Sequence, residues 1–118
     1  MVSPKAADTT VRMLENVATK SWVHDFVAIP GYRVATKTGT AQESDGEGGY
    51  AKGYLVSLAG IAPADDPRYV VYAVLDAPSK MNTSQAPAPV FQKVMSRVLQ
   101  TEGVVPSGTT SPDLPENW

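Results

Sequence analysis

The stretch with the most chemical content is Lys37-Thr38-Gly39-Thr40-Ala41-Gln42. A lysine beside two threonine hydroxyls makes a local anion site, with one ammonium and two O–H donors close together in the chain. A glycine inside an otherwise β-branched run weakens a strand, so its presence suits close approach of another backbone or a ligand. A strand of this kind can pair its free edge with an extended peptide and hold a carboxylate at the threonines. The plain alternative is an edge strand with a protective lysine and a bulge glycine. Other candidates are weaker. Asp65-Asp66 reads as a solvated turn. Glu43, Asp45 and Glu47 lack the spacing of a calcium loop and read as a solvated loop. His24 and Asp25 are adjacent, so their side chains diverge, and His24 reads as structural. Tyr50 and Tyr54 flank a glycine-rich stretch and read as packing residues.

The elements that must position this stretch follow from periodicity. Residues 3–20 read as a helix: Ser3 is a cap, Pro4 fits the first helical position, and Ala7, Val11, Leu14 and Ala18 form one stripe. Residues 21–31 lack a clean period and read as a loop with a short helical turn, closed by Pro30-Gly31. Three strands follow, at 32–42, 54–62 and 68–77, which predicts an antiparallel meander with Lys37 on an edge. Residues 43–53 form an exposed flap between the first two strands. Residues 78–88 are a loop, and 89–102 read as a second helix with Val90, Phe91, Val94, Met95, Val98 and Leu99 on its apolar side. Phe91, Val94 and Met95 are assigned to the core. Residues 104–118 have no period and many breakers, and read as an extended or disordered tail. The fold class is therefore α/β in the broad sense, α+β in detail. Near-continuous apolar runs in the second and third strands imply burial on both sheet faces. Two helices are little material for that.

Composition excludes several classes. The 118 residues are 42% hydrophobic, enough for one domain with a core. Ten basic residues against twelve acidic ones leave no field suited to nucleic acid. With no cysteine and one histidine, neither a thiolate site nor a histidine-rich metal cluster can form, and no cofactor is expected. No apolar run is long enough to span a membrane.

Lys-Thr-Gly is the third motif of serine β-lactamases and penicillin-binding proteins. The longer runs GYRVATKTGTAQ, SLAGIAPADDPRYVVYAVLDAP and APAPVFQKVM resemble the end of a class B penicillin-binding protein transpeptidase domain, of the actinobacterial, division-associated type. The resemblance covers about residues 2–103 and implies a partial serine β-lactamase/transpeptidase-like fold. It implies that Lys37 lies near the serine nucleophile and assists proton traffic. It implies that Thr38 and Thr40 bind the terminal carboxylate of a D-Ala-D-Ala stem peptide or of a β-lactam. Gly39 would leave room for the substrate, and the Thr40 N–H would form half of the oxyanion hole. The partners implied are the peptidoglycan stem peptide, β-lactams, the preceding part of the same protein and cell-division proteins. The implied location is membrane-anchored with the domain outside the cytoplasm.

The family's nucleophile is not in these residues. None of the serines opens a Ser-x-x-Lys, and no Ser-x-Asn occurs. Met1-Val2-Ser3-Pro4 resembles the lead into a helix that follows both motifs in the family, so the expectation is a chain that starts mid-domain and is inactive alone. Rival readings are a D,D-carboxypeptidase or β-lactamase-like enzyme, a non-catalytic β-lactam sensor or pseudo-enzyme, and a free-standing ligand-binding module.

Overall fold

The computed structural model describes residues 2–50, 52–76, 78 and 85–114. Asn82-Thr83-Ser84, which has the form of a glycosylation sequon, and Trp118 at the end of the tail lie outside the described residues. The order is helix α1 (Pro4–Lys20), one helical turn α2 (His24–Val27), strands β1 (Ala35–Ala41), β2 (Leu55–Ala62) and β3 (Tyr69–Asp76), and helix α3 (Ala88–Thr101). The three strands form an antiparallel sheet in the order β1-β2-β3. This is the α+β meander that the sequence implies.

Local chemistry accounts for the helix boundaries. The Ser3 hydroxyl accepts the Ala6 N–H at 3.2 Å, and Pro4 occupies the first turn, where its missing donor costs nothing. In α3, Ala88, Phe91, Met95 and Leu99 recur at steps of three, four and four, and all four are fully buried. Val94 is exposed, contrary to the expectation that it is core, because it sits off this stripe. Phe91 lies over Gly60 so closely that a Cβ on that glycine would overlap the ring.

Directly paired residues of an antiparallel ladder share a face. Thr36, Thr38 and Thr40 therefore share a face with Gly60, Leu58 and Val56, and these with Val71, Ala73 and Leu75. This is the face that α3 covers, and on β2 Val56, Leu58, Gly60 and Ala62 are buried. The opposite face carries Lys37, Ala59 and Tyr72 in one row and Ile61 with Val70 in another. On β3 this face is open: Val70 is 70% and Tyr72 65% exposed. The apolar runs predicted burial on both faces, and within the described chain only one face of β3 is covered.

Residues 104–114 contain no helix or strand, yet they are held by specific bonds. The Tyr32 hydroxyl donates to the Val104 carbonyl at 2.6 Å, the Ser107 N–H to the Gly31 carbonyl at 2.8 Å, and Lys20 to the Leu114 carbonyl at 3.0 Å. The segment is an extended strap running from the end of α3 past residues 31–33 to the end of α1.

Candidate active site

β1 positions every residue singled out for chemistry. Its two ends differ: Ala35 and Thr36 are buried, Thr38 and Gly39 half-buried, and Lys37, Thr40 and Ala41 exposed. Strand alternation puts Lys37 and Gly39 on one face and Thr38 and Thr40 on the other. Thr38 and Thr40 thus present two hydroxyls on the same side, with their Cα atoms about 6.6 Å apart along the strand. The Lys37 ammonium donates to the Thr38 carbonyl at 2.6 Å and is otherwise open to solvent. Gly39 faces Ser57, and a Cβ there would lie 2.6 Å from the Ser57 Oγ. A side chain here would displace the Ser57 hydroxyl, so glycine suits the neighbouring strand as well as an incoming backbone. β1 is an edge of the described sheet, so one side of its backbone carries no strand. The strand therefore does not bring the lysine and the two hydroxyls onto one face: Thr38 and Thr40 share a side, Lys37 projects from the other, and the strand edge between them is what an extended peptide ending in a carboxylate could pair with.

Two side-chain oxygens are buried without a partner among the described residues, the Thr36 Oγ1 on β1 and the Asn16 Oδ1 on α1. Such orphans are uncommon in folded proteins.

Among the described residues the approach to β1 is densely bonded. Arg33 donates from Nε to Glu15 Oε1 at 2.6 Å and from NH2 to Glu15 Oε2 at 2.8 Å, a two-pronged pair. Its NH1 donates to Thr109 Oγ1 at 2.8 Å. Its backbone N–H donates to Ser107 Oγ at 3.0 Å, and its carbonyl accepts the Ala64 N–H at 2.8 Å. Glu15 is fully buried and also accepts the Ser111 hydroxyl at 2.6 Å. The Glu15 hydrogen bonds hold the Arg33 guanidinium above its ordinary value, against the opposing effect of burial. Sequence reasoning passed over both residues. The available signal was Glu15 standing between Leu14 and Ala18 on the apolar side of a helix, where an unpaired carboxylate is untenable.

The remaining candidates have structural roles. His24 Nδ1 lies 3.0 Å from the Ala18 carbonyl and ties α2 to α1. Asp66 pairs with exposed Arg68, and Asp65 accepts the Ser107 hydroxyl at 2.7 Å. In the flap, Asp45 accepts the N–H groups of Glu47 and Gly49, both at 2.8 Å, and these hold its carboxyl below the usual carboxylate range. Asp45 organises its own turn there. Tyr50 and Tyr54 do not pack as expected: Tyr50 is 73% exposed at the flap, and Tyr54 is exposed at the foot of β2.

Comparison with known proteins agrees with this geometry. The family model of the penicillin-binding protein transpeptidase domain matches residues 1–96. Peptidoglycan D,D-transpeptidase FtsI of Escherichia coli K12 is 38% identical over 107 residues, covering 89% of this chain and 18% of the relative. Penicillin-binding protein PbpB of Mycobacterium tuberculosis is 36% identical over 126 residues, covering 97% of this chain and 18% of the relative. Among solved structures, penicillin-binding protein 3 of M. tuberculosis complexed with ampicillin superposes with a TM-score of 0.75 at 36% identity, over 94% of this chain and 27% of that one. The apo transpeptidase domain of Burkholderia pseudomallei penicillin-binding protein 3 gives 0.76 at 35% identity, over 91% and 33%. The chain belongs to the class B penicillin-binding protein transpeptidase family and has the β-lactamase-like transpeptidase fold. It spans about a fifth of the length of the curated relatives it matches.

Proposed function

We propose that this chain supplies one wall of a peptidoglycan D,D-transpeptidase site, with the acylated serine coming from residues outside these 118. The serine oxygen attacks the carbonyl carbon between the two D-alanines of a stem peptide. The terminal D-alanine leaves, and an amine of a neighbouring stem then displaces the serine from the acyl-enzyme. Thr38 and Thr40 hold the terminal carboxylate, Lys37 supplies positive charge and assists proton transfer, and the Thr40 N–H is one oxyanion donor. A β-lactam occupies the same wall and acylates the same serine. The observation that carries this reading is the partly exposed Lys37–Thr40 segment on the free edge of a sheet whose family is established.

The relatives' names support a part in peptidoglycan synthesis, and kinship with FtsI supports a role in division, with division proteins as partners. Among the described residues no helix is long and apolar enough to cross a membrane. Anchoring of the whole protein, with this domain outside the cytoplasm, is part of the same proposal. The test is labelling with a fluorescent penicillin followed by mapping of the labelled peptide. The full-length protein should carry the label on a serine of a Ser-x-x-Lys motif, and the 118-residue chain should take up none. A label on any serine of this chain would contradict the assignment.

A further inference from the structure

We propose that Arg33 is a positioning residue for the Lys37–Thr40 wall: clamped between Glu15 and the strap at residues 104–114, it sets the direction in which β1 leaves the core. The inference rests on the functional reading above and deepens it.

Arg33 stands two residues before β1 begins and four before Lys37. Both its backbone polar groups and all three of its guanidinium nitrogens are bonded, and the partners come from three separate elements. Glu15 is on α1, Ala64 follows β2, and Ser107 and Thr109 are on the strap. A two-pronged guanidinium–carboxylate pair fixes orientation as well as distance. The Glu15 carboxylate is itself held by Ser111, so the strap grips both halves of the pair. Beyond this point β1 is held on one edge by its ladder to β2 from Ala35 to Ala41, while Lys37 and Thr40 are exposed and the other backbone edge carries no strand, so the anchored root and the ladder together set the strand's direction. From Arg33 to Lys37 the chain rises about 13 Å. A pivot of about 5° at Arg33 would move the wall by about 1 Å, a misplacement that is large in catalytic terms. The strap is therefore part of the positioning machinery of the site.

The experiment uses the full-length protein and a chromogenic penicillin. It measures the second-order acylation rate constant, its separation into binding and acylation steps, and the melting temperature. Arg33→Lys keeps the charge and loses the fork and the reach to Thr109. Met95→Ala is the control, since it opens a cavity under α3 at a buried residue outside β1 and the strap. Arg33→Lys should lower the acylation step roughly tenfold, at a loss of melting temperature no greater than that of Met95→Ala, which should acylate within about twofold of wild type. If Arg33→Lys does not fold, the pair Ser107→Ala and Thr109→Val replaces it, and each should lower acylation about two- to fivefold. The inference is overturned if these variants acylate like wild type, or if acylation merely follows melting temperature across all of them, Met95→Ala included. Wild type that acylates while Arg33→Lys is unaffected removes only this inference. Wild type that fails to acylate removes the functional reading and the inference with it.

Discussion

The two ends of β1 are built to opposite specifications. At its root, Arg33 has no free polar group, and Ala35 and Thr36 are sealed from solvent. At its tip, Lys37 and Thr40 are exposed and one backbone edge has no partner among the described residues. The root carries the charge pair that stability depends on, and the tip carries the charge that chemistry would use. The difference teaches that the two lysine- and arginine-bearing positions, four residues apart, answer to different tests.

The sharpest way to break this comparison is to remove a charge from each end. Glu15→Ala leaves the half-buried Arg33 guanidinium without its carboxylate and the Ser111 hydroxyl without its acceptor, and the cost should approach, without reaching, the about 3–5 kcal/mol of a fully buried pair broken on one side. A urea midpoint of the transpeptidase unfolding transition unchanged from wild type would contradict the root's assigned role. Lys37→Ala should do the reverse. It should leave stability within about 0.5 kcal/mol while the acylation rate constant of the full-length protein falls by about 10²–10³, the loss of one preorganised group at a transition state. Equal losses of stability and rate in both variants would erase the distinction between root and tip.

Smaller effects sharpen the same contrast. Gly60→Ala pushes a methyl group into the Phe91 ring, and overpacking of this kind costs about 1–3 kcal/mol. Calorimetry should register it, whereas Gly46→Ala in the open flap, strained only by its positive φ of 78°, should cost about 1 kcal/mol. Ser111→Ala removes one hydrogen bond to a buried carboxylate and should cost about 1.5–3 kcal/mol if the strap grips Glu15 as described. The smallest effect is at the far end of the strap. Lys20 bonds the Asp113 carboxylate and holds its pKa below the ordinary range. A depressed carboxyl contributes stability in full above its unfolded value of about 3.9, and loses it as the pH falls through the lower folded value. Amide shifts of residues 113 and 114 should therefore be constant from neutral pH to about pH 4 and move only below it. A titration midpoint at or above about 3.9 would show that the contact is not formed.

The tip was legible in the sequence and the root was not, for physical reasons. A lysine, a glycine and three threonines in a β-branched run are visible because they interrupt a pattern. The meander was visible because turn residues at Pro30-Gly31 and at residues 63–67 punctuate the apolar runs. Glu15 and Arg33 are 18 residues apart and meet only because α1 folds back along β1, so no local window contains both. The strap was read from its breakers alone. Its order comes from serine and threonine hydroxyls on backbone and carboxylate groups, which leave no hydrophobic period to detect. The apolar face of β3 misled in the other direction. Val70 and Tyr72 have the composition of buried residues, and the described chain leaves them open.

The central claim is that Lys37, Thr38 and Thr40 form the carboxylate-binding wall of an acylated serine site. It is tested most directly by a crystal structure of the full-length protein after reaction with a penicillin. The account predicts an acyl-serine from outside this chain, with the β-lactam carboxylate within hydrogen-bond distance of the Thr38 and Thr40 hydroxyls and the ring-opened carbonyl oxygen on the Thr40 N–H. A carboxylate bound elsewhere, with Lys37 and both threonines facing only solvent, would contradict it.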